Sequence, residues 1–171
     1  MVEKPPIQAL KSGQHIELTI SDEHFRLIGQ VVVSWSRLEA ALEDCIWCFL
    51  NLEEDDGRII TRRLDAEAKI QLLRQFAPRR KFDEKGLSDF NDLLNLIGEF
   101  KDNRNFICHG VWGTLMPDNI PIALSQKPKA DDGVVISEDF PRDRMEALIG
   151  LIQYARERII IVREEFRLSL S

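Results

Sequence analysis

Residues 87–110 read LSDFNDLLNLIGEFKDNRNFICHG, and the spacing of their apolar side chains decides the fold class. The apolar positions are Leu87, Phe90, Leu93, Leu94, Ile97, Phe100, Ile107 and Cys108. They recur mostly every three or four residues, which places them on one face of a long helix that Gly110 can end in a left-handed cap. Because such a helix must bury its apolar face against other elements, the stretch predicts a helical bundle.

Three further stretches have the same helical spacing. The first begins at Ser21, whose hydroxyl can cap free N–H groups, and runs to Asn51. Its apolar positions are Ile28, Val32, Trp35, Leu42, Ile46 and Phe49. A second stretch follows to Ala77 and ends at Pro78. The last opens near Pro141, with the alternating spacings of a bundle seam at Met145, Leu148, Ile152, Ala155, Ile159, Val162 and Phe166.

The remaining segments predict little helix. Residues 1–20 read as an N-terminal tail, and the alternation over 15–20 is typical of a short strand. Glycine and proline separate β-favouring runs at 111–115, 120–124 and 134–137, which indicates a hairpin or loop insertion. We therefore predict an all-α fold, an antiparallel bundle of about four long helices. Its helical domain would cover 21–168, with the insertion at 111–137.

Composition restricts the classes of function. A chain of 171 residues with 44% hydrophobic residues is expected to form one domain with a substantial core. A formal net charge of −6 argues against broad adhesion to nucleic acid, so any RNA contact must be local. The basic runs at 62–63 and 74–81 could supply it, although such runs are more often solvated helix ends.

The same composition bears on the compartment. The N-terminus lacks the features of a secretory signal, and three cysteines cannot close a disulfide framework. We therefore expect a cytoplasmic protein. No stretch is apolar enough to predict a membrane span, so no membrane association is expected.

Arg104, Asn105 and His109 interrupt the apolar pattern in the last turns of the 87–110 helix. On an ideal helix Arg104 and His109 would lie about 140° apart around the axis and about 7.5 Å apart along it. Asp102 shares a polar stripe with Asn105 and His109. Arg104 follows the apolar side, where a guanidinium needs an anion, and Glu39 or Glu43 is the expected partner within the chain. A helix-capping His and a structural Arg ion pair explain these residues about equally well on chemistry alone.

These residues make the chain resemble the HEPN superfamily, whose pattern is an Arg, a polar residue directly after it, and a His a few residues further on. Arg104, Asn105 and His109 match that pattern. Trp35-Ser36-Arg37-Leu38-Glu39 is similar to the aromatic-x-x-Leu-Glu signature common in the first helix, and 109–112 is similar to the motif's usual ending. The resemblance spans roughly residues 21–168.

The resemblance implies a metal-independent endoribonuclease without a cofactor, a toxin or phage-defence effector with an antitoxin protein as partner. It implies that His109 is the acid or base at an RNA 2′-hydroxyl, that Arg104 holds the phosphate and that Asn105 orients the reacting groups. Asp102, Glu39 and Glu43 would support them. It also implies a homodimer whose site forms where two subunits meet. Val111 stands where members paired with nucleotidyltransferase antitoxins carry a Tyr, so control by modification of that Tyr is not expected.

Three alternatives stay open at this stage. One is a non-catalytic HEPN-like module that binds a nucleotide or a protein, and another is a purely structural bundle. The third is a zinc site of Cys45, Cys48, Cys108 and His109, which is conceivable if the helices that carry them run parallel in an up-down-up bundle. Zinc ligands with Cys-x-x-Cys spacing normally sit on turns, however, and free Cys is commonly buried, so burial is the preferred reading of these thiols.

Overall fold

The structure is a computed structural model that describes residues 15–80, 82–124 and 137–168. The helices are α1 (Asp22–Leu50), α2 (Glu54–Thr61), α3 (Ala66–Phe76), α4 (Glu84–His109) and α5 (Arg142–Leu168), with a 3₁₀ turn at Ala77–Arg79. The strands are β1 (His15–Glu17), β2 (Val111–Met116), β3 (Ile120–Leu124) and β4 (Ser137–Asp139). The prediction of a mostly helical fold with a small β insertion before the last helix is confirmed.

Helix α1 begins and ends where its sequence predicts. The Ser21 hydroxyl accepts a hydrogen bond from the backbone N–H of His24 at 3.3 Å, as a capping residue does. After Leu50 the chain leaves the helix through Asn51, whose φ of 53° is left-handed. Asparagine tolerates that conformation better than most residues, so the helix ends there at little cost.

The apolar face of α1 departs from the prediction in its first turns. Leu27 and Val31 are buried, whereas Ile28 is half-buried and Val32 is exposed. From Trp35 onward the predicted positions are buried. The sequence offers adjacent apolar residues in these turns, and both choices keep a helical spacing, so periodicity alone could not decide between them.

The second predicted helix is two short helices, α2 and α3, separated by residues 62–65. Asp65 has an extended backbone, and its side chain accepts a hydrogen bond from the N–H of Ala68 at 2.8 Å, which starts a new helix. α2 packs closely on α1, because a Cβ on Gly57 would lie 2.5 Å from the Trp47 ring. The Trp47 indole donates to the Thr61 hydroxyl at 3.1 Å and holds the C-terminal end of α2 against α1.

The described strands form an antiparallel sheet in the order β1-β2-β3-β4. Its register places Ile16 opposite Leu115, and Ile122 opposite both Gly113 and Asp139. The predicted runs at 111–115 and 120–124 are confirmed as strands, and the predicted N-terminal strand is shorter than expected. The predicted tail over 1–14 and residues 134–136 of the third run lie outside the described residues.

Contacts divide the chain into two compact units. We call Met1–Val32 with Asp102–Ile149 the sheet unit, and Val33–Lys101 with Gly150–Ser171 the helical unit. In the helical unit the Trp35 ring meets that of Phe100 edge-on, with centroids 6.2 Å apart, and Phe49 lies 5.8 Å from Phe90. These pairs show that α1 and α4 run antiparallel within this unit. The predicted domain boundaries, 21–168, stay a prediction.

Among the described residues, no helix combines the length and the apolar character that a bilayer crossing requires.

Candidate functional site

The predicted motif occupies the last two turns of α4, in the sheet unit. Asn105, His109 and Asp102 are exposed, and Arg104 is half-buried. Arg104 donates from Nη1 to Oδ1 of Asn105 at 3.1 Å. Sequence reasoning placed Asp102, Asn105 and His109 on one polar stripe and Arg104 on the apolar side, and the roles assigned to these residues stay a prediction. An imidazole open to solvent can exchange protons, and a guanidinium can bind a phosphate with two N–H groups.

The end of α4 is held by the strand that follows it. The Gly110 N–H still donates to the carbonyl of Phe106 at 2.8 Å, and the Trp112 indole donates to the carbonyl of Ile107 at 2.9 Å. Both bonds satisfy carbonyl groups that a helix end leaves without an intrahelical partner. Trp112 also contacts the Phe140 ring, with centroids 5.7 Å apart. His109 is therefore carried by a helix terminus tied to β2.

Gly110 does not adopt the left-handed conformation predicted for it, because its φ lies outside the left-handed range. Close approach requires glycine instead. A Cβ at this position would lie 2.5 Å from the carbonyl oxygen of Phe106 and 3.0 Å from the Cβ of Ala123. The residue after His109 thus lets β3 pass directly against the helix end.

Arg144 is a residue near the motif that sequence reasoning missed. Its Nη2 donates to Oδ1 of Asn103 at 3.2 Å, and its Nη1 donates to the carbonyl of Asp139. Its guanidinium also lies 4.4 Å from the centroid of the Phe140 ring. Arg144 therefore ties the beginning of α5 to the α4 residue directly before Arg104. Local spacing could not reveal this, because the two helices meet only in the folded chain.

Glu39 and Glu43, the expected partners of Arg104, belong to the helical unit. Glu43 pairs with Lys69, at 2.7 Å between Oε1 and Nζ. The Lys69 side chain is only 6% exposed, which is unusual for lysine and requires an anion beside it. Sequence reasoning did not consider this cation for Glu43. Glu39 lies half-buried one turn earlier on α1, and a pairing of Arg104 with either carboxylate stays a prediction.

The described residues contain no group of three or more His, Cys, Asp or Glu side chains that could hold a metal ion. Cys45 is buried in the core and Cys48 is half-buried, with its Sγ 3.8 Å from the carbonyl oxygen of Arg163. Burial raises the pKa of both thiols, which disfavours the thiolate that binds zinc. In the helical unit α1 also runs antiparallel to α4, whereas the zinc hypothesis required parallel helices.

Comparison of the chain with known proteins finds no matching family model, no matching curated protein and no matching solved structure. The resemblance to HEPN proteins therefore depends on the residues of this chain alone.

Proposed function

We propose that the protein is a HEPN-like, metal-independent endoribonuclease. One observation carries the proposal. His109 and Asn105 are exposed at the end of α4, and Asn105 accepts a hydrogen bond from the half-buried Arg104 at 3.1 Å. In the proposal His109 is the proton-transfer group, Arg104 is the phosphate-binding group, and Asn105 orients Arg104.

The chemistry follows from the three functional groups. In the proposed reaction a base removes the proton of an RNA 2′-hydroxyl, and the oxygen attacks the adjacent phosphorus. The bond from phosphorus to the 5′-oxygen breaks, and an acid protonates that oxygen. The products are a 2′,3′-cyclic phosphate and a free 5′-hydroxyl. Arg104 stabilises the charge on the phosphate, so this route needs no metal ion.

His109 supplies one of the two proton-transfer groups that the reaction uses. In the proposal the second group is His109 of another subunit, so the active form is a homodimer. The same proposal makes the protein a cytoplasmic toxin or phage-defence effector that an antitoxin protein holds inactive. Its sequence-level support is the HEPN-like motif, and light scattering of the purified protein would test the subunit number.

The test is incubation of purified protein with labelled RNA in the presence of EDTA. We expect wild type to cleave, and we expect His109→Ala to lower the rate by roughly 100-fold or more, the usual contribution of a general acid or base. His15→Ala is the matched control, because His15 is an exposed histidine of the same unit. Equal cleavage by wild type and His109→Ala would overturn the proposal, and binding without cleavage would favour the non-catalytic module.

Arg104→Ala should also abolish cleavage, whereas Arg104→Lys should retain a part of it, because lysine keeps the charge but loses the planar pair of donors. Arg26→Ala is the control. Arg26 is exposed on α1 in the same unit, where its Nη1 donates to Gln30 at 3.0 Å and its Nη2 lies 3.9 Å from Oε1 of Glu23.

A further inference from the structure

A basic groove lies in the helical unit, at the end of α2. It encloses about 820 Å³ and is lined by Arg58, Ile59, Arg62, Arg63 and Glu43. Ile59 is 77% exposed, although isoleucine is normally buried. Three guanidinium groups and an exposed apolar side chain thus share one concave surface. We call this surface the arginine groove.

The charges in the arginine groove are not balanced within it. Glu43 is already neutralised by Lys69, at 2.7 Å, and Arg58 is paired with Glu54. Within the part of the chain that the structure describes, the side chains of Arg62 and Arg63 have no hydrogen-bond or ion-pair partner. On a protein with a net charge of −6, these two cations give the groove a local charge opposite to that of the whole chain.

The other arginines of the predicted basic runs are engaged elsewhere. Arg74 donates to Asn95, and the guanidinium groups of Arg79 and Arg80 lie over the rings of Phe76 and Phe166. These three side chains therefore have structural contacts that occupy them. Among the described arginines of the two runs, Arg62 and Arg63 remain available to a ligand.

A second groove of the helical unit has the opposite character. It encloses about 800 Å³ between α4 and α5, and its charged side chains are Asp83, Asp89, Asp92, Glu165 and the single cation Arg158. A polyanion would be repelled from this acidic groove. The unit therefore offers one surface that suits an anion and one that does not, and the second provides a control for the first.

We propose that the arginine groove binds the phosphodiester backbone of single-stranded RNA. This inference rests on the proposed function, which supplies RNA as the polyanion. Guanidinium groups bind phosphate oxygens in a bidentate geometry, and they also stack on unpaired bases. Ile59 adds an apolar surface for a base beside them. In this proposal the arginine groove anchors the RNA strand, and cleavage is assigned to Arg104 and His109.

The test measures binding of a fluorescent 2′-O-methyl oligoribonucleotide to the full chain between 50 and 200 mM salt. The 2′-O-methyl groups prevent cleavage, so binding is read independently of His109. We expect Arg62→Ala/Arg63→Ala to reduce the slope of log K against log salt by about 1.4, since each phosphate contact to a single strand contributes about 0.7. Arg158→Ala/Arg167→Ala removes the same charge from α5 and should leave the slope unchanged.

An unchanged slope for Arg62→Ala/Arg63→Ala would overturn the inference. Equal losses in the two double variants would also overturn it, because they would show a general effect of net charge. Should the first variant lose its helical circular dichroism, Arg63→Gln alone is read instead, with an expected change of about 0.7. If no protein cleaves RNA but Arg62→Ala/Arg63→Ala shows the expected change in slope, only the proposed function is refuted. If wild type cleaves RNA but the slope does not change in that variant, only this inference is refuted.

Discussion

Lys69 lies in surroundings that a lysine side chain rarely occupies. It is almost fully buried, and the Glu43 carboxylate lies 2.7 Å from its ammonium group. Glu43→Ala would leave a charge buried without its partner, so we expect the free energy of unfolding to fall by about 3 kcal/mol. Urea denaturation monitored by circular dichroism measures this.

The control for that prediction is the double variant Glu43→Leu/Lys69→Met, which replaces both charges with apolar groups of similar volume. Such a replacement is commonly neutral or stabilising, so its stability should stay near that of wild type. If the single and double variants were equally destabilised, lost packing rather than the orphaned ammonium would explain the effect.

Gly98 lies within α4 and Gly110 directly follows it, and the two glycines differ in the space around them. A Cβ on Gly110 would meet the carbonyl of Phe106 at 2.5 Å, whereas a Cβ on Gly98 would meet nothing within 4 Å. We expect Gly110→Ala to destabilise by about 2 kcal/mol through overpacking. Gly98→Ala should stabilise by about 0.5–1 kcal/mol, because alanine favours the helix. Thermal unfolding of both variants checks this, and equal shifts would contradict it.

The shared face of Asn105 and His109 could be predicted at this scale, because residues on one helix have fixed angular positions. The partners of Glu43 and the contacts of Arg144 could not. Lys69 reaches Glu43 from α3, and Arg144 reaches Asn103 from α5. Both contacts depend on how the helices pack. Local spacing carries no information about such contacts.

At the scale of the element, helix starts offer the clearest comparison. Asp65 begins α3 by accepting a hydrogen bond from the Ala68 N–H, whereas Glu53 precedes α2 without any side-chain capping bond. We expect Asp65→Ala to lower the free energy of unfolding by about 1 kcal/mol and Glu53→Ala to leave it nearly unchanged. Urea denaturation of the two variants tests this, and a larger loss from Glu53→Ala would contradict it.

Element boundaries were predictable where strong signals mark them. Ser21 and Pro141 stand directly before α1 and α5, and α4 ends directly before Gly110. The break between α2 and α3 was missed, because apolar residues continue at helical spacing across it. Its signal was Asp65, a good capping residue inside an apparent helix.

At the scale of the whole molecule, the fold class followed from four periodic stretches that each need a partner for one apolar face. The direction of α4 relative to α1 within the helical unit did not. The expected up-down-up order assumed one long second helix. The stretch is instead divided, and α3 runs antiparallel to α4, because Glu67 pairs with Lys101 and Arg74 donates to Asn95. The division of charge between an acidic and a basic groove was also beyond the sequence, since it depends on which side chains each surface collects.

The most direct test of the proposed ribonuclease uses a DNA oligonucleotide with a single ribonucleotide, incubated with the wild-type protein in EDTA. We predict cleavage only after the ribonucleotide, with a 2′,3′-cyclic phosphate on one fragment and a 5′-hydroxyl on the other, both identified by mass spectrometry. Cleavage at deoxynucleotides, or an intact oligonucleotide beside folded wild-type protein, would contradict the assignment of Arg104 and His109 to RNA chemistry.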